Sequence, residues 1–187
     1  MSPNGDKEAL DGLKRRIELN DPVAAYYFGC KYHKGTMGLP QDSRRALELF
    51  RQAVQLGHTD AHFTIGEYYL RGNKEVGGKD MKKAKYHWEL AAIGGHASSR
   101  HNLGALERQA GNTRRSIKHF KMAAEAGYEL SMDQIKKDFV TREVNLETYR
   151  EISQAYKKAE DEIKSEPRER ANANRTNVFP TRLSLSK

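Results

Sequence analysis

The side chains able to do chemistry in this sequence are few and scattered. His58 and His62 stand four residues apart, a spacing that puts two imidazoles on one side of a helix, and His96 and His101 follow. Such a set invites a transition-metal reading. Yet His58 and His96 each stand just past a Gly, at matching places in two copies of one sequence unit, so the unit itself explains their recurrence. Asp60, Glu67 and His101 have groups suited to acid–base catalysis, but nothing sets them apart from ordinary charged positions on a helix surface. The segment GNKEVGGKD is rich in Gly, lacks the GKS or GKT ending of a phosphate-binding loop, and follows a helical pattern rather than a strand. Cys30 is the single cysteine, which excludes an intrachain disulfide and any Cys-x-x-Cys zinc site. No metal, cofactor or small-molecule substrate is expected, and no residue is assigned to catalysis.

Basic residues are the remaining candidates. Lys79, Lys82, Lys83 and Lys85, with Arg114, Arg115, Lys118 and Lys121, could meet phosphate backbones or anionic lipid. They fall on the outer, polar sides of helical patterns, where charge ordinarily serves solvation, so nucleic acid is not expected as a partner. The net charge is +8 over 187 residues, and the segment from Glu166 to Lys187 contributes five basic against two acidic side chains. The bias is spread out rather than concentrated in a patch. The opening MSPNGDKEALDGLKRRIELND has no apolar core of a signal peptide, and no run of about 18 apolar residues occurs. A cytoplasmic protein is expected, with the nucleus as the alternative.

The elements that must hold these residues are helices that recur. Asp6 to Leu19 reads as a first helix, with Ala9, Leu13 and Ile17 as its apolar stripe and Asn20-Asp21-Pro22 as a break and restart. It predicts an N-terminal capping helix over residues 1–21. A first full unit, 22–58, carries Ala24, Phe28, Gly29, Tyr32 and Gly35, then Asp42, Ala46, Phe50, Ala53 and Gly57. The second, 59–96, repeats these as Ala61, Ile65, Gly66, Tyr69 and Gly72, then Asp80, Ala84, Trp88, Ala91, Ala92 and Gly95. The offset is 37 residues in the first helices and 38 after Asp42, a one-residue insertion confined to the loop. The third unit, 97–128, has Leu103, Gly104, Asn112, Ser116, Phe120, Ala123, Ala124 and Gly127 with a shortened loop. Residues 129–165 read as a degenerate repeat and C-terminal cap: Leu130, Met132, Ile135 and Phe139, with Lys136 in place of the Gly, then Leu146, Tyr149, Ile152, Tyr156, Ala159 and Ile163. From Glu166 the period stops and a disordered basic tail is expected over 166–187. Gly29, Gly66 and Gly104 sit inside helices, where Gly costs about 1 kcal/mol; close approach of a partner helix through Phe50, Trp88 and Phe120 is the reason expected.

The pattern small-x-x-x-aliphatic-Gly-x-x-Tyr-x-x-Gly, a loop ending in Asp, then Ala-x-x-x-aromatic-x-x-Ala-Ala-x-x-Gly-His resembles the Sel-1-like repeat, a relative of the tetratricopeptide repeats. The match covers residues 22 to 128. The third unit departs from it, with a short loop and Glu107 where Tyr32 and Tyr69 stand. The resemblance implies an all-α, right-handed superhelical solenoid of helix-turn-helix repeats whose first helices line a concave face. It implies a non-enzymatic adaptor or scaffold binding another protein or peptide in that groove. By the tetratricopeptide geometry the groove positions are Tyr26, Cys30 and Lys34, then Phe63, Glu67 and Arg71, then His101 and Arg108, and finally Asp133 and Lys137. The Asn of a chaperone carboxylate clamp is replaced by Cys30, Glu67 and Ala105, so that mode is not expected. The alternative is a basic solenoid docking on nucleic acid or an anionic membrane through its convex face and tail.

Overall fold

The computed structural model of the chain describes residues 3–72 and 77–165. The segment 166–187, expected to lack order, lies outside them. Among the described residues the regular elements are nine helices: α1 (Pro3–Glu18), α2 (Pro22–Lys34), α3 (Ser43–Gln55), α4 (Thr59–Arg71), α5 (Met81–Ile93), α6 (Ala97–Gln109), α7 (Thr113–Glu125), α8 (Glu129–Val140) and α9 (Leu146–Ser165). They divide into two compact units, Met1–Gly94 and Gly95–Lys187. In the first, α2 pairs with α3 and α4 with α5, α3 lies on α4, and α1 covers α2. In the second, α6 pairs with α7, and both α8 and α9 pack on α7.

The helix starts follow from side chains that satisfy otherwise orphaned backbone N–H groups. Asp21 Oδ1 accepts from the N–H of Val23 at 2.8 Å and of Ala24 at 3.1 Å, with Pro22 pre-set at the first helical position. Asp42 and Asp80 each accept from the residue three further on, Arg45 N at 2.8 Å and Lys83 N at 3.0 Å. Asn145 does the same for α9 through Thr148 N at 2.8 Å. The inter-helix loops close in one way despite their different lengths. The N–H of Asp42 donates to Tyr32 O at 3.0 Å, that of Asp80 to Tyr69 O at 2.8 Å, and that of Asn112 to Glu107 O at 2.8 Å. The three donors and the three acceptors are equivalent positions, so the shortened third loop keeps the closure of the other two.

The helix glycines are where pairs touch. A Cβ on Gly66 would lie 2.6 Å from Trp88 Cδ1 and Nε1, and one on Gly29 would lie 2.7 Å from Phe50 Cε1. Gly104 meets Phe120 in the same way at 2.8 Å. Phe50 and Trp88 are wholly buried and Phe120 nearly so.

Two details differ from the sequence expectation. α1 begins at Pro3 rather than Asp6. Its buried residue is Leu10, while Ala9 is exposed; Leu10, Leu13 and Ile17 pack on Phe28 and Leu49. A stripe through Leu13 and Ile17 admits either neighbour one turn earlier, and the larger side chain removes more apolar area from water. In the second unit Phe120, Ala124, Met132, Ile135 and Ile152 form one core with Tyr149 and Tyr156 against it. Lys136 is exposed where the earlier repeats place Gly, and α8 meets its neighbours through Met132 and Ile135 instead.

Candidate partner-binding face

In the first unit the residues expected on the first-helix face come from α2 and α4 at matching places: Tyr26 with Phe63, Cys30 with Glu67, Lys34 with Arg71. The fold sorts them by depth. Tyr26, Cys30 and Glu67 are buried, at 3%, 7% and 4% exposure. Phe63 is half-buried, and Lys34 and Arg71 are exposed. A helix that leans on both its own partner and the next repeat's first helix has little free surface along its middle. Its last turn is what reaches solvent.

Of the buried members, Tyr26 ties α2 to α4. Tyr26 stacks on the His58 ring with centroids 4.5 Å apart, and its hydroxyl lies 3.4 Å from Thr64 Oγ1. The Cys30 thiol sits beside Tyr26, and burial pushes it up to about 12, so it stays protonated and unreactive. Glu67 reaches forward one turn to Arg71 at 3.6 Å. His33 Nδ1 and Tyr68 Oη share a hydrogen bond at 2.6 Å across the same two helices. Burial lowers the His33 pKa, and the neighbouring Lys34 and Arg71 lower it further. What remains at the surface is therefore cationic, Lys34 and Arg71 at the C-terminal ends of their helices, where the helix dipole favours positive charge.

In the second unit the candidates are His101 and Arg108 of α6, and Asp133 and Lys137 of α8. His101 is partly buried, its Nδ1 lies 2.8 Å from Ser131 Oγ, and Phe120 and Tyr128 flank its ring. Burial pulls its pKa down to about 4. Arg108 turns into the unit. Its Nε donates to Ser116 Oγ at 3.1 Å, one terminal nitrogen donates to Glu143 at 2.9 Å, and the other to Asp138 at 2.8 Å. Asp138 is 1% exposed and also accepts from Gln134 at 3.0 Å. In register with the helix glycines, Gln109 stands where Lys34 and Arg71 stand; Arg108 corresponds to His33 and Leu70. It thus occupies the place from which His33 reaches Tyr68, and it reaches the following first helix, α8, likewise. Asp133 pairs with Lys136 at 2.9 Å, and Lys137 is exposed.

The other chemical candidates separate. His58 starts α4 and stacks on Tyr26, while His62 turns to His87 of α5. His96 caps α6, accepting from Ser99 N at 3.2 Å. Among the described residues no three His, Cys, Asp or Glu side chains gather as a metal would require. Several of the basic residues lean on carboxylates: Lys83 on Asp80, Lys85 on Glu89, Arg115 on Glu107, Lys121 on Glu125 and Glu151. No described helix is long and apolar enough to cross a membrane. Asp138, Tyr68 and the His62–His87 pair carry no local signal in the sequence, since their partners lie 25 to 35 residues away.

Comparison with known proteins places this geometry. The chain is 26% identical over 133 residues to chitin synthase regulatory factor 4 of Schizosaccharomyces pombe, covering 71% of this chain and 21% of that protein. It is 29% identical over 114 residues to the ERAD-associated E3 ubiquitin-protein ligase component HRD3B of Arabidopsis thaliana, covering 61% and 18%. The chain thus spans about a fifth of the length of either relative. Among solved structures it resembles c5321, a protective antigen of uropathogenic Escherichia coli with an SLR fold, at a TM-score of 0.67 and 25% identity, over 80% of this chain and 33% of that one. It also resembles a Sel1 repeat protein from Oxalobacter formigenes, at a TM-score of 0.62 and 22% identity, over 69% and 98%. The Sel1 repeat pattern matches residues 22–58, 59–96 and 97–128, more than half of the sequence. The chain, an all-α array of helix-turn-helix repeats, belongs to the Sel1 repeat family.

Proposed function

We propose that this protein is a non-enzymatic adaptor that holds a partner protein or peptide on the face made by its first helices. The observation that carries the reading is the sorting along α2 and α4. Tyr26 ties the two helices together from inside and Cys30 and Glu67 are buried with it, while Lys34, Phe63 and Arg71 stay at or near the surface. A rigid frame that presents a few large or cationic side chains binds at low ordering cost. Membership in a repeat family whose matched relatives are a regulatory factor and a ligase component supports binding over catalysis. The partner is a proposal of class only: a segment with an apolar anchor for Phe63 and acidic groups for Lys34 and Arg71. A cytoplasmic location, with the nucleus as alternative, belongs to the same proposal.

The test is affinity capture with wild-type protein and a Lys34→Ala/Phe63→Ala/Arg71→Ala variant, with a Lys118→Ala variant as control. Loss of a partner from the triple variant alone, at an unchanged melting profile, is the expected outcome. Retention of every partner by a folded triple variant removes this face from the proposal. Partners lost by all proteins between low and moderate salt would favour docking on nucleic acid or anionic membrane instead.

A further inference from the structure

The junction of α3, α4 and α5 holds a polar cluster. His62 and His87 meet Nδ1 to Nδ1 at 3.0 Å, so one ring donates and the other accepts. The Tyr69 ring lies nearly parallel to that of His87, centroids 5.8 Å apart, and its hydroxyl accepts from the Arg51 guanidinium at 3.4 Å. Lys83, one turn before His87 on α5, holds its ammonium 5.2 Å from the Tyr69 ring centroid. Arg51 and Lys83 are exposed and the three rings are half-buried, so the cluster is open to solvent. Lys83 has one carboxylate near it, Asp80 of its own helix cap at 3.5 Å, and Arg51 forms no ion pair with the described residues.

Two kinds of ligand use paired imidazoles. A divalent metal ion would take the two Nδ1 lone pairs, but two neutral donors leave its site half filled, and Arg51 and Lys83 repel a dication. An anion gains from those same two cations: a planar fork from Arg51, a point charge from Lys83, and the Nε2–H of the imidazole whose Nδ1 accepts. Burial, the neighbouring His62 and Arg51 now hold the His87 pKa down to about 4; negative charge beside it would act in the opposite sense.

We propose that Arg51, Tyr69, Lys83 and the His62–His87 pair form a binding site for a phosphate group, either a phosphate monoester on a partner or free phosphate. A phosphate offers close to two negative charges and three acceptor oxygens, matching a guanidinium, an ammonium and an imidazole; a carboxylate offers one charge and two oxygens. The site is distinct from the first-helix face, so its failure leaves the adaptor reading as it stands.

The experiment titrates the full chain with a short phosphoserine peptide and, in a second arm, with sodium phosphate at constant ionic strength. The ring C–H resonances of His62 and His87, assigned through H62Q and H87Q, are followed by NMR. Saturable shifts with a raised pKa for the pair, and about tenfold weaker binding in Arg51→Gln or Lys83→Gln, are expected. Lys157→Ala, an exposed change on α9 of the other unit, should bind as wild type does. Tighter binding of the peptide identifies a modified partner as the source, and equal or tighter binding of phosphate identifies the free ion; both support the site. Absence of a saturable shift in both arms, unchanged binding in both folded glutamine variants, or a tighter saturable response to Zn²⁺ than to phosphate overturns it.

Discussion

Gly66 lets α4 and α5 approach until one added carbon would collide with the Trp88 indole at 2.6 Å, and Trp88 is wholly buried. Gly66→Ala sets overpacking of about 1–3 kcal/mol against roughly 1 kcal/mol of better helix propensity. A net loss of up to about 2 kcal/mol in urea unfolding is expected from these terms, and a raised midpoint would remove the close-approach argument. Trp88 itself poses a second question, because its indole N–H is buried and meets no acceptor among the described residues. The equivalent positions hold Phe50 and Phe120. Trp88→Phe loses ring area but frees the unit of an orphaned donor worth about 1–3 kcal/mol, so its effect should stay within about 1 kcal/mol. Asp138 is the opposite case. It is buried and paired with Arg108, and Asp138→Ala leaves that guanidinium without its inner partner. A loss of about 3 kcal/mol is expected. Double-mutant cycles with Arg108→Ala would give the coupling; a value near zero would contradict the ion-pair account.

At the scale of the element, what holds each helix in place is local chemistry. Asp42→Ala removes a side-chain cap and should cost about 1 kcal/mol. Asp80→Ala should lower the unfolding midpoint in the same direction, and the two effects should add nearly independently. Asn112→Ala should cost less, because Asn112 starts α7 without a side-chain cap bond. Equal losses at all three positions would count against capping as the cause. This locality is also why the helices, the caps and the glycine–aromatic contacts are legible in the sequence: period, cap residue and recurrence all act within one repeat. The α1 stripe is legible only in part, since Ala9 and Leu10 fit the same spacing and only the contact with Phe28 and Leu49 decides between them. The candidate face is harder. Placing residues on it needs burial, which depends on the following repeat: Tyr26 and Cys30 have the spacing of presented residues, yet both are buried, Tyr26 against His58 and, in the next repeat, Thr64. Arg108 shows the cost of a one-residue register shift, because it takes the inward place of His33 rather than the outward place of Lys34. The His62–His87 contact is invisible in the sequence for the same reason, each histidine being ordinary on its own helix.

Over the whole molecule, the half-buried histidines should shape how the fold responds to acid. His87 in the first unit and His101 in the second are both held at about 4, in each case chiefly by burial. An unfolded chain binds protons at these residues near pH 6.5, before the folded chain does. Their contribution is therefore fully present above pH 6.5 and is lost as the pH falls from there toward about 4. Both rings keep some contact with water, so solvent screening reduces the effect to the order of 1 kcal/mol each. The carboxylates that cap helices act later. Backbone hydrogen bonds lead in lowering the pKa of Asp21 and Asp80 below 3.8, so their contribution is lost only as the pH falls below that value. Melting temperatures measured from about pH 7.5 to 4.5 should fall by about 2–4 °C per histidine, and a His87→Gln/His101→Gln variant should show a flatter profile over the same range. If that variant falls as steeply as wild type, the acid response lies in other groups and burial of these two rings is not its origin.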